Sequence, residues 1–194
     1  MSQAISNSML FNLVITFVIV LIAFFMGSLS YSKASKVNNR IVDEIEKYGE
    51  SAMELSADQA QAGIDSAYTD ARKGIVNWLN KGDGDTGSSI GYRKSRNGLR
   101  SCPDADEIKS EKNVGTVNVV AMEEPTVSVE NPYEYCVYRV KTCAKQDAND
   151  DSKSTGCYTY YKVRTYMYFD VPLIEDLIKI PVNGETRGFQ PRNS

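Results

Sequence analysis

The chain has 194 residues, with 22 basic against 25 acidic side chains, a formal net charge of −3 and no histidine. The missing imidazole excludes Ser-His-Asp and Cys-His catalysis, HExxH zinc sites and most imidazole acid–base chemistry. The acidic balance offers no basic face to nucleic acid. There is no GxGxxG or GxxxxGK(S/T) loop, and Asp and Glu are scattered through polar segments. The sequence therefore points away from an enzyme and calls for no cofactor and no metal.

The first element is the stretch "MLFNLVITFVIVLIAFFMGSL", Met9 to Leu29, whose 21 residues carry only Asn12, Thr16 and Ser28 as polar side chains. As a helix at ~1.5 Å per residue it reaches about 32 Å, enough to cross a hydrocarbon core of about 30 Å. Residues 1–32 read as a transmembrane anchor. A cleaved signal peptide is the rival reading, but it wants a positive n-region and a shorter apolar run, and "MSQAISNS" has no Lys or Arg. Lateral packing in lipid favours small residues, and Ala23, Gly27 and Ser28 are the candidates for a close helix crossing. Lys33, Lys36 and Arg40 follow the anchor and nothing basic precedes it, which by flanking charge places the rest of the chain in the cytoplasm. Cysteine usage points the other way. Because long domains translocate regardless of flanking charge, the expectation is a single-pass protein of the cell membrane with an extracytoplasmic C-terminal domain.

Residues 33–80 read as a helical stalk and a second helix. Val37, Ile41 and Ile45 recur at i+4 with Tyr48 three further on, a narrow apolar stripe that continues the membrane helix, with Gly49 as its expected stop. "SADQ" then announces a new helix, Ser56 capping its first turn while Gln59 reaches back. Ile64, Tyr68, Ala71, Ile75 and Leu79, widened by Trp78, form an apolar face expected to pack on the following domain.

Residues 81–112 are Gly- and Ser-rich, and "KGDGDTGSSIGYRKSRNG" reads as an exposed loop. Asp83 and Asp85 resemble the start of a calcium loop, yet Lys94 stands where that template needs a bidentate Glu. From residue 113 to 194 the period becomes two. "NVGTVNVVAM", "TVSVE", "YEYCVYRVKTC" and "CYTYYKVRTYMYF" read as strands, Asn131-Pro132 marks a turn, and the last two runs form an antiparallel hairpin across the acidic "DANDDSKST" loop. Tyr158, Tyr160, Tyr166 and Tyr168 alternate along one face with Lys162 and Arg164, which reads as a half-buried face covered by the stalk helix.

Cys102, Cys136, Cys143 and Cys157 all lie beyond the anchor. The even count reads as two disulfides in an oxidising compartment, zinc being disfavoured because no pair stands at CxxC spacing, with reduced thiols the remaining alternative. Of the three possible pairings, Cys143 opposite Cys157 in the hairpin, with Cys102 to Cys136, is one. In that register Val137 meets Val163 on the cysteine face and Val140 meets Tyr160 on the other.

An uncharged N-terminal helix running into "SYSKASKVNNRIVDEIEKYG", a small β domain and the tail "VRTYMYFDVPLIEDLIKIPVNGETR" together resemble TadE-like pseudopilins of tight-adherence (Tad) pilus systems. The matching tail features are Val163 to Phe169, Pro172, Ile178 to Val182 and Thr186-Arg187. Pilins and many pseudopilins carry a Gly/Ala-Phe-x-x-x-Glu processing site, whereas no Glu occurs between Met1 and Ser32 here. The resemblance thus implies a minor pilin-like component, retained in the membrane, whose N-terminal helix meets other pilin-like subunits, assembly-platform proteins or further copies of itself. The implied fold is α+β: a transmembrane helix continuing into a helical stalk, and a second amphipathic helix packed on a small antiparallel β-sheet.

Overall fold

The computed structural model describes residues 2–81 (side chains from Met9), 90–95, 97–110, 116–143, 156–168 and 179–191. The first proline is Pro103, so nothing interrupts helix formation along the N-terminal third. One helix, α1 (Ser2–Met53), accordingly runs through both the apolar and the amphipathic segments, and at ~1.5 Å per residue its 52 residues extend roughly 78 Å. Gly49 does not stop it. A Cβ there would stand 2.6 Å from the Phe189 ring, so the glycine serves the close approach of a fully buried Phe189. The helix ends at Met53, and α2 (Ala57–Lys81) begins after Ser56, whose hydroxyl donates to Gln59 Oε1 at 2.9 Å.

Four strands, β1 (Thr116–Ala121), β2 (Cys136–Cys143), β3 (Cys157–Tyr168) and β4 (Lys179–Glu185), form one antiparallel sheet in the order β1-β2-β3-β4. The hairpin register is Cys143 opposite Cys157, Val137 opposite Val163 and Val140 opposite Tyr160. A short helix, α3 (Ala105–Ser110), lies in the stretch read as loop, its first turn closed by the Asp104 carbonyl. "TVSVE" is not a strand. Thr126 forms only an isolated bridge to Leu99, and Val129 is fully exposed at the loop tip. The described part of the Gly-rich region is also more ordered in its pairing than an exposed loop, since Lys94 bridges Tyr133 and the Ser95 amide donates to the Pro132 carbonyl at 2.8 Å. Asp83, Asp85, the acidic loop after Cys143, and Phe169, Pro172 and Ile178 of the tail lie outside the described residues.

Both faces of the sheet are covered. The face bearing Val137, Tyr161 and Val163 packs on Val37, Ile41 and Ile45 of α1 and on Ile64, Tyr68, Ile75 and Leu79 of α2, forming the main core. The second helix reaches the sheet through long side chains: the Tyr161 hydroxyl donates to the Ile64 carbonyl at 2.5 Å, and Arg139 Nη1 to the Asp65 carbonyl at 3.3 Å. Tyr160, Lys162, Arg164 and Tyr166 point to the opposite face, where Ile108 of α3, Cys136, Tyr138 and Val140 form a second cluster. Contrary to the expectation from the sequence, the stalk helix therefore does not form the cover of the tyrosine face. Period two assigns those residues to one side, but nothing local says which side the stalk takes.

The stalk is no spacer, because the head packs along it from its first residues. Ser30 Oγ accepts from the Tyr168 amide at 3.0 Å, Thr165 Oγ1 donates to the Ala34 carbonyl at 3.0 Å, and Asn38 Nδ2 donates to the carbonyls of Val182 at 3.0 Å and Val163 at 3.3 Å. Asn38 is buried, and a Cβ on the facing Gly184 would overlap its Oδ1, so this polar clasp requires a glycine opposite it. Truncating Asn38 to Ala orphans buried groups and should cost about 1–3 kcal/mol. Gly184→Ala should cost a similar amount by dislodging the same amide. The double variant N38A/G184A should be clearly less destabilised than the sum of the two, as measured by denaturant melts of the full chain in micelles. Strict additivity would show that the two residues do not act through one contact.

Candidate functional site

The outer half of α1 is the first candidate surface. From Met9 to Met26 its large side chains are exposed, Phe24 by 72% and Leu13 by 68%, and the helix is long and apolar enough to cross a membrane. An uninterrupted apolar helix with no described part of its own chain over it is what a lipid bilayer or another apolar helix covers. Of the three small residues expected to pack there, Gly27 is buried, Ala23 is half-buried and Ser28 is exposed. Ala23 and Gly27, four apart, share one face, while Ser28 is turned about 100° from Gly27.

The second candidate is a cleft of about 510 Å³ where α1 leaves its apolar stretch. Met26, Leu29, Ser30 and Lys33 form its α1 side, and Gly91, Arg93, Lys94, Tyr166 and Tyr168 form its head side. The Arg93 guanidinium lies 4.3 Å over the Tyr168 ring, which fixes its direction, and Lys33 Nζ lies near the Gly91 backbone. Gly91 has φ of +68°, a left-handed turn that lets residues 90–95 fold back beside the helix.

Behind Tyr168 a smaller cavity of about 200 Å³ holds Glu134 and Lys179. The Glu134 carboxylate accepts from Lys179 Nζ, from the Tyr168 hydroxyl and from the Ser101 hydroxyl at 3.0 Å. Burial opposes its ionisation, but these donors outweigh burial and hold its pKa below the usual Glu range. Burial also lowers the Lys179 ammonium, which the carboxylate offsets only in part. Burial raises the Tyr166 hydroxyl to about 12, so it keeps its proton.

A third group of charges went unnoticed in the sequence. Glu123 is buried and is met by Arg100 Nη1 at 3.1 Å, Arg72 Nε at 3.0 Å and the Tyr68 hydroxyl. Arg100, itself buried, also donates to the carbonyls of Glu124 at 2.6 Å and Asn131 at 2.8 Å. The cluster ties α2 to the segments around residues 100 and 131 as structure, with the buried Asn131 Oδ1 left without a hydrogen-bond partner among the described residues. Among the described residues no group of His, Cys, Asp and Glu is arranged to hold a metal ion.

The four cysteines form Cys102–Cys136 and Cys143–Cys157, with Cα separations of 5.7 and 4.0 Å. The first lies on the tyrosine face and the second on the helix face, at opposite ends of β2. Thr186 and Arg187 of the tail also have structural roles. Thr186 Oγ1 accepts from the Tyr161 amide at 2.9 Å, and Arg187 pairs with Glu50 while its amide donates to Glu46 Oε1 at 2.8 Å. Scans against protein-family models, curated proteins and solved structures found no match to this chain.

Two predictions follow from the geometry of these groups. Cys102–Cys136 spans 34 residues and ties irregular chain to β2, so C102A/C136A should lose about 3–4 kcal/mol on loop-closure grounds. C143A/C157A should lose less, because the hairpin ladder already holds those two positions opposite each other. Denaturation of each pair of variants, with non-reducing peptide mapping, checks the order. For Glu134 the folded pKa lies below the unfolded one, so its contribution to stability is complete above the ordinary carboxylate range and is lost as pH falls through the lowered value. Glu134→Gln should therefore flatten the acid limb of Tm against pH, and an unchanged limb would assign acid sensitivity elsewhere.

Proposed function

We propose that this chain is a membrane-anchored, pseudopilin-like structural component that contributes to pilus or secretion-apparatus assembly at the cell envelope, with its disulfide-bonded head outside the cytoplasm. One observation carries the reading: a single helix is apolar and uncovered over its outer half and forms the core of the head over its inner half. Such a helix joins lateral association in lipid to the position of the head without an intervening hinge. On that outer half the small, half-buried Ala23 marks where a second apolar helix comes closest, Gly27 being already buried. The chemistry is assembly rather than catalysis. The buried carboxylates Glu123 and Glu134 are both engaged by internal donors, and the TadE-like resemblance supplies the class.

A tethered ligand-binding module is the alternative. The tyrosine face gives it little support, since Tyr160 and Tyr166 are buried beneath α3 and the Cys102 segment and present no open aromatic platform.

Site-specific photo-crosslinking from Ala23 and Phe17 in native membranes tests the proposal. Crosslinks to other single-helix pilin-like subunits or to a polytopic platform protein are expected, stronger from Ala23 than from the bulky face. A helix that crosslinks to lipid alone, in a protein whose C-terminal tag is shielded from protease on intact cells, would refute both the assembly role and the topology.

A further inference from the structure

We propose that the cleft at the base of the head, where Lys33, Arg93, Lys94 and Tyr168 stand over Met26 and Leu29, holds the phosphodiester headgroup of an anionic phospholipid. The inference rests on the reading that the apolar half of α1 crosses a bilayer, and it does not depend on the pseudopilin assignment. Depth is the first argument. Lys33 follows Leu29 by four residues, a rise of about 6 Å, which places its ammonium at headgroup level when Leu29 marks the edge of the hydrocarbon.

Composition is the second argument. The α1 wall of the cleft begins with Met26 and Leu29, exposed by 39% and 66%, and passes within one turn to Ser30 and Lys33. An acyl chain against the first pair leaves its phosphate beside the second. Three basic side chains from two separate parts of the chain line the same cleft of about 510 Å³. Arg93 is stacked on Tyr168, which holds its positive charge at the cleft. Glu134, the carboxylate of the adjoining cavity, is engaged by Lys179, Tyr168 and Ser101. Tyr168, half-buried at the cleft, adds an amphipathic ring of the kind that favours the interface between lipid and water.

The test uses the full chain in nanodiscs of phosphatidylglycerol mixed with phosphatidylcholine, with retained lipid counted by native mass spectrometry. Phosphatidylglycerol should be retained over phosphatidylcholine by roughly tenfold. K33Q/K94Q should abolish most of that preference. K47Q/K109Q, which removes the same charge from exposed lysines further along the chain, should leave it intact. Fluorescence melts that follow the single Trp78 establish that all three proteins are folded. Equal retention of both lipids, an equal loss in both double variants, or displacement of the lipid by inorganic phosphate would each overturn the proposal. A chain that fails to float with vesicles would sink the membrane reading as well, whereas one that inserts without lipid preference sinks only the headgroup site.

Discussion

The seam between α1 and β3 is the constraint on which the rest of the structure depends. Four residues of helix rise about 6 Å and two residues of strand advance about 6.7 Å, so a helix stripe at i+4 and a strand face at i+2 stay nearly in step. Ala34 meets Thr165 and Asn38 meets Val163 on that principle, and Val37, Ile41 and Ile45 fill the space beside them. Apolar stripes alone would tolerate sliding by one helical turn. The Asn38 amide, with acceptors only at Val163, Thr165 and Val182, fixes one register because any slip buries it unsatisfied.

With that register fixed, the two faces of the sheet acquire different roles. The helix face is large and apolar and contributes most of the packing. The other face is covered thinly by α3 and the segment around Pro103, which six residues of helix could not hold alone. Cys102–Cys136, the Tyr138 hydroxyl on the Pro103 carbonyl at 2.6 Å and the Tyr166 hydroxyl on the Ser101 carbonyl secure that cover. A covalent link stands where the apolar cover is thinnest, as suits a small domain.

Elements with strong periodicity were legible in the sequence. The long helix, the apolar face of α2 and the hairpin from Cys136 to Tyr168 follow from spacing, and Cys143 opposite Cys157 fixes its register. Features set by contacts distant in sequence were not. Gly49 has the local appearance of a terminator, and only Phe189, 140 positions later, explains it. Asn38 and Gly184 look like ordinary surface and turn residues until they face each other. Arg100 and Glu123 are indistinguishable from solvated charges by sequence, and "TVSVE" has strand composition although Thr126 alone of it forms a bridge, to Leu99. The basal cleft was hidden for the same reason. Lys33 alone suggests orientation in a membrane, and only the fold places residues 91–94 beside it.

Because β3 reaches Ser30 and the head clasps α1 as far as Gly49, the molecule has no swivel between its buried and exposed halves. Placed in a bilayer, a molecule clasped in this way would act as a stiff lever whose fulcrum is the lipid. Helices tilt to match local thickness, and a change of about 10° would sweep the far end of α1, about 36 Å from Leu29, sideways by roughly 6 Å. Bilayer thickness or crowding of neighbouring spans would thereby become displacement of the distal surface, a mechanical coupling that any flexible tether would erase.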